Sequence, residues 1–214
     1  MVVASVATVL VAALVWLFFF SDIFRAREAT VEGNALVGVD DVLAAAAVPT
    51  GMPLLLVDTE PIEARVLELP EVRSVSVERD FPDAVRVVVE ERDAVYQLQD
   101  AGSYSWVDAE GIVFRTNQAA DPTLPAARVS GERDERILSD IATVVRAIPS
   151  AVAGEVSRID AASVDRIQLT LADDRTVVWG SAEDSELKSQ VLTPLLGVDA
   201  KVYDVSAPNH PTTR

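Results

Sequence analysis

The chain of 214 residues carries a formal net charge of −16 at pH 7 and a sequence pI near 4.3, with 50% hydrophobic and 24% charged residues. That balance is globular rather than disordered, and its acidity argues against nucleic acid as a partner, because phosphate neutralisation has no basic surface to work with. With no cysteine and a single histidine, His210, in a polar tail, disulfide frameworks, thiolate zinc sites and His-based triads are excluded, so stability rests on packing.

Met1 to Phe20 contains no charged residue. At ~1.5 Å per residue such a run can cross ~30 Å of hydrocarbon, which predicts a single transmembrane helix over residues 1–23. No basic n-region precedes it and no small-x-small site follows, which argues against a cleaved signal peptide. Arg25 and Arg27 lie after the run and by the positive-inside rule argue against an extracytoplasmic remainder, a balance that a basic cytoplasmic tail ahead of Met1 would reverse.

A first domain is expected over residues 24–92. Thr30 to Asn34 reads as a short strand closing in a Gly-Asn turn. Gly38 can cap a helix that carries Val39, Val42, Leu43 and Ala46 on one face and stops at Pro49-Thr50-Gly51. A second helix starts near Asp58, presents Ile62, Val66 and Leu69, and ends at Pro70. The period then changes to two: Val75 and Val77 alternate with Ser74, Ser76 and Glu78, the chain turns at Asp80-Phe81-Pro82-Asp83, and Val85, Val87 and Val89 alternate again. The order is β-α-α-β-β.

Residues 93–208 read as a second domain. Hairpins run through Tyr96 to Leu98, Tyr104 to Val107 and Ile112 to Arg115. A loop at Asp121-Pro122 and Leu124-Pro125 precedes an amphipathic helix with Ile137, Leu138, Ile141, Val144, Val145 and Ile148 on one face, ended by Pro149. Strands follow at Val156 to Asp160, Ile167 to Leu171 and Thr176 to Trp179, then a helix from about Asp184 and a last strand from Lys201 to Val205. Residues 209–214 read as a polar tail. The fold class is therefore α+β: a transmembrane helix, a β-α-α-β-β domain, and a curved, mainly antiparallel β domain with flanking helices.

Val31-Glu32-Gly33-Asn34, Gly51-x-Pro53-Leu54-Leu55-x-Val57-Asp58, Leu69-Pro70-x-Val72, Val77-Glu78-Arg79-x-Phe81-Pro82 and Val89-x-Glu91-Arg92 occur in the order that resembles FtsQ/DivIB-type POTRA domains. The second region resembles the FtsQ β domain through Val107-Asp108-x-x-Gly111, Leu124-Pro125, Lys188 and Tyr203-Asp204-Val205-Ser206-x-Pro208. Three positions depart from the pattern: Gly38 replaces a Ser cap, Ala94 replaces a Pro, and Pro194 interrupts the last helix. The resemblance implies a non-catalytic scaffold of the bacterial divisome at the septum and cytoplasmic membrane, with its C-terminal region extracytoplasmic. It implies partners of the FtsB/DivIC and FtsL class at the end of the β domain and other division proteins through the helix and POTRA domain. A different POTRA-bearing secretion or assembly chaperone and a membrane-anchored cell-wall enzyme are the alternative readings.

Catalytic motifs argue against an enzyme. There is no Walker loop, G-x-G-x-x-G or G-x-S-x-G. Ser185-Glu186-Leu187-Lys188 fits the S-x-x-K of penicillin-binding enzymes but lacks the companion motifs, and helix periodicity assigns Leu187 to a buried face and Lys188 to a solvated one. The carboxylate pairs Asp40-Asp41, Glu90-Glu91 and Asp173-Asp174 fall at a helix start, on alternate strand faces and in a turn. No cofactor or metal is expected. The candidate partner-binding residues lie on two expected sheet edges. Ser74 and Ser76 belong to the strand from Val72 to Arg79, which a proline at Ser76 is expected to cut off from its partner. Val202, Tyr203, Val205 and Ser206 belong to the last strand, where Val202 and Tyr203 can equally complete the core.

Overall fold

The computed structural model describes residues 6, 7, 9, 10, 16, 21–131 and 133–214. It divides into two units, Met1–Arg92 and Asp93–Arg214, each with its own core.

In the first unit, the strand pattern read from sequence is realised as β1 (Glu28–Glu32), β2 (Val72–Asp80) and β3 (Ala84–Glu91) in the order β1-β3-β2. β3 is central, parallel to β1 and antiparallel to β2. Its alternation drives Val85, Val87 and Val89 into a core with Val42 and Ala46 of α1 (Val39–Ala46) and Ile62 and Val66 of α2 (Glu60–Val66). Val39, expected on the buried face of α1, is 44% exposed. The opposite sheet face is polar, with Arg86 between Glu32 and Glu78 at 3.9 and 3.0 Å. The first strand ends before the expected Gly-Asn turn, and Gly33 is required there: its φ is +84° and an added Cβ would lie 2.2 Å from the Val89 carbonyl oxygen. The Glu91 carboxylate accepts the Ala35, Leu36 and Val37 N–H groups at 2.8 to 3.0 Å, fixing the loop that leads into α1.

The second unit is built on nine strands in the order β12-β11-β10-β9-β8-β7-β4-β5-β6. β4 (Tyr96–Asp100), β5 (Ser103–Val107) and β6 (Val113–Asn117) form the expected meander. β7 (Ala126–Val129), for which the sequence pattern predicts no element, lies parallel to both β4 and β8 (Val156–Ser163). A parallel neighbour needs a crossover. Here the crossover from β7 to β8 contains α3 (Glu135–Ala147) and the short α4 (Ser150–Ala153). Asp134 caps α3 by accepting the Ile137 N–H at 2.8 Å, and Ile137, Leu138, Ile141 and Val144 are buried against the sheet. β9 (Arg166–Leu171) and β10 (Thr176–Gly180) continue the antiparallel run. A second crossover, α5 (Ser185–Leu195), leads to β11 (Val202–Asp204), which is parallel to β10 and antiparallel to β12 (Thr212–Thr213).

The α+β character holds, but the transmembrane helix expected over residues 1–23 does not. Among the described residues no helix is long and apolar enough to cross a membrane. The longest described helix, α3, has 13 residues, which span only ~20 Å against ~30 Å of hydrocarbon, and it is amphipathic. Most of the uncharged run up to Phe20 lies outside the described residues.

Candidate functional site

β2 is an edge strand of nine residues, with β3 as its sole neighbour in the sheet among the described residues. Which of its main-chain groups face outward follows from one contact. The Val77 N–H donates to Glu63 Oε1 of α2 at 2.9 Å and is therefore turned away from β3. Amide direction alternates along a strand, so the main-chain groups of Val75, Val77 and Arg79 face outward, while those of Ser74, Ser76 and Glu78 pair with Glu90, Val88 and Arg86 of β3. Ser74 and Ser76 are exposed, and the Ser74 hydroxyl donates to Glu90 Oε2 at 2.7 Å. A proline at Ser76 would consequently break the internal β2–β3 ladder and leave the outer row intact, the reverse of the expectation from sequence. Glu63 did not stand out in the sequence, because it reads as an ordinary solvated charge, and Arg79, whose guanidinium donates to the Val57 carbonyl at 2.8 and 3.1 Å, entered only as part of the Val77-Glu78-Arg79 resemblance, with no contact assigned to it.

The C-terminal candidates lie at one end of the second sheet, but β11 is not its edge. β10 flanks it on one side and β12 on the other, so the supposed polar tail supplies a pairing strand. Tyr203 and Val205 are fully buried. The Tyr203 hydroxyl donates to the Val198 carbonyl at 2.8 Å and accepts from Arg175 Nη1 at 3.3 Å, and that guanidinium lies 5.6 Å from the ring centroid. The Val205 N–H donates to the Val178 carbonyl at 3.0 Å. Val202 is half-buried, its N–H donating to the Arg214 carbonyl, and Ser206 is exposed, with N–H and hydroxyl both donating to Asp204 Oδ1. Of the four residues, Val202 and Ser206 reach the surface.

The S-x-x-K segment opens α5, with its faces opposite to those expected: Lys188 is 2% exposed and Leu187 38%. The buried stripe is Ser185, Lys188 and Leu192, spaced i, i+3 and i+7. Ser185 Oγ donates to the Ala182 carbonyl and accepts from Trp179 Nε1, while Lys188 Nζ donates to the Ser181 carbonyl at 2.8 Å. The serine proton and the lysine are each directed to a backbone carbonyl, so the pair fixes the start of α5 and does not form a nucleophile and its base. Burial pushes the Lys188 ammonium below its ordinary value, against attraction from Asp184 and Glu183. A hollow of about 270 Å³ beside it is lined by Arg136, Asp140, Thr143, Asp165, Ser181 and Glu183. Among the described residues no group of three acidic or histidine side chains could hold a metal ion.

A β-α-α-β-β unit with an open edge strand, followed by a mixed nine-stranded unit with helical crossovers, defines a POTRA-plus-β-domain protein. Residues 24–92 match the family described as POTRA domain, FtsQ-type, and residues 95–206 match Cell division protein FtsQ/DivIB, C-terminal. The chain belongs to the FtsQ/DivIB family of cell division proteins. It is 33% identical to the cell division protein FtsQ of Streptomyces collinus, over 99% of this chain and 86% of that one. It is 36% identical to that of Mycolicibacterium smegmatis, over 99% of this chain and 63% of the relative. A solved structure of the major extracytoplasmic domain of DivIB from Geobacillus stearothermophilus is similar at a TM-score of 0.39, with 15% identity over 56% of this chain and 98% of that one.

Proposed function

We propose that this protein is a non-catalytic scaffold of the bacterial divisome that recruits and links septal cell-division proteins. The β2 edge of the first unit serves other division proteins, and the β11–β12 end of the second unit serves small partners of the FtsB/DivIC and FtsL class. The observation that supports this most is the outward row of main-chain groups on Val75, Val77 and Arg79, carried by a long edge strand with exposed polar side chains and closed at Val77 only by the Glu63 carboxylate. Such an edge binds an extended segment through its backbone and needs no catalytic group. Membership in a family of cell division proteins favours septation over secretion as the setting.

The test is complementation of cells depleted of the protein. Val75→Pro removes one outward N–H and spares the inner ladder, a position where an edge strand tolerates proline. The variant is expected to leave the first unit folded by circular dichroism while late division proteins fail to reach midcell and the cells filament. Normal septal recruitment by a folded Val75→Pro protein would remove β2 from the function.

A further inference from the structure

A nine-residue edge strand is a hazard as well as a docking place, because any extended backbone, including a second copy of the same strand, can pair with it. In the first unit the middle of that edge is already occupied. Ile62 and Val66 pin α2 against the sheet, and Glu63, next to Ile62, reaches round the rim so that its carboxylate takes the Val77 N–H at 2.9 Å. Two residues along, the Arg79 guanidinium spans the same rim to the Val57 carbonyl. The carboxylate therefore stands where the carbonyl of an added strand would stand.

We propose that Glu63 gates the β2 edge: its carboxylate is an internal substitute for an incoming backbone carbonyl, and an extended polypeptide pairs with Val75–Arg79 by displacing it. A segment offering one or two backbone bonds would be outcompeted by the tethered carboxylate, and one running the length of the outer row would not. The inference rests on reading β2 as a docking edge and adds how that edge is kept from indiscriminate pairing.

The test uses the full chain in mild detergent, with a second copy of the chain as the probe of strand addition. In Glu63→Ala the Val77 amide is expected to exchange with deuterium about tenfold faster, the scale of one charge-assisted hydrogen bond, while amides of β3 keep their protection. Self-association measured by sedimentation should tighten by a similar factor and be cancelled by adding Val75→Pro. Glu63→Gln, which keeps an acceptor oxygen, should stay near wild type, and Glu63→Asp, one methylene short, should behave as Glu63→Ala if the alanine variant folds poorly. Unchanged Val77 exchange in a folded Glu63→Ala or Glu63→Asp protein overturns the gate, as does self-association that survives Val75→Pro. If Val75→Pro cancels self-association but leaves septal recruitment intact, the gate stands and the scaffold's use of this edge falls. Lost recruitment with Val77 exchange indifferent to Glu63 gives the converse.

Discussion

Replacing Tyr203 by Phe removes one hydroxyl and nothing else, and the structure states what that hydroxyl does. It supplies the Val198 carbonyl with a donor at 2.8 Å and receives Arg175 at 3.3 Å, inside a fully buried side chain. The ring and its contact with the guanidinium persist in phenylalanine, so the loss is that of one buried hydrogen-bonding group, about 1 to 2 kcal/mol. Tyr203→Ala would also empty the ring's volume in the core of the second unit and cost about 3 to 5 kcal/mol. It is therefore a poor probe of docking, since weakened capture would follow from a loosened β11. Urea titration followed by tryptophan fluorescence reads the effect, because Trp179 lies on β10, whose Val177 pairs with Tyr203. A Tyr203→Phe protein within about 0.5 kcal/mol of wild type, the range of surface substitutions, would refute this reasoning. Partner capture unchanged in the folded Tyr203→Phe variant would place the contact on the exposed groups of this end, such as Ser206, and not on the phenol.

Glu91→Ala should destabilise the first unit by about 2 to 3 kcal/mol, because three backbone N–H groups lose a charged acceptor. Faster deuterium exchange at Ala35, Leu36 and Val37 checks it, with Glu91→Gln intermediate. Gly33→Ala should cost about 2 kcal/mol or more, since it combines a left-handed φ with a Cβ driven into the Val89 carbonyl, and thermal melting reads the loss. Burial pushes the Asp140 carboxyl above its ordinary value, opposed by Arg136 and reinforced by Asp134, Asp165 and Glu183. The folded chain thus holds this proton more tightly than the unfolded one, so stability falls as pH rises through the window above the ordinary value and the cost persists at neutrality. Asp140→Asn should stabilise the second unit at pH 7, an advantage that disappears once the pH falls below the ordinary carboxylate range, and equal effects at both pH values would contradict the assignment.

How much of this was legible in the sequence depends on how each feature is encoded. The first sheet was readable because Val85, Val87 and Val89 recur at every second position, with Arg86 and Glu90 between them and Val88 the one apolar exception, and a period of two has one structural meaning over that length. β7 was not, since four residues between Pro125 and Ser130 carry too little pattern and become a strand through hydrogen bonds from β4 and β8. β12, two threonines in a polar stretch, was invisible for the same reason. Alternation placed Tyr203 and Val205 on one side of β11 but could not say that side is covered. Lys188 misled because the apolar Leu187 beside it suggested the wrong stripe, whereas the buried face starts at Ser185 and accommodates the lysine by giving its ammonium a backbone carbonyl.

The two ends where partners are proposed to dock differ in a way that dictates what each can recognise. β2 offers an outward row spanning Val75 to Arg79, so a partner there gains affinity mainly from backbone pairing, and side chains such as Ser74 and Ser76 tune it. β11 is capped by a strand of two residues, which leaves few main-chain groups for an added strand. Recognition at that end must lean on exposed side chains around β11 and β12, where single substitutions remove a larger share of the contact. Alanine substitutions at exposed residues should therefore cost little along β2 and more at the β11–β12 end, while backbone-directed changes such as Val75→Pro should show the opposite pattern. The same contrast explains why the β12 edge needs no such gate: a two-residue strand is too short to template pairing, and a nine-residue strand is not.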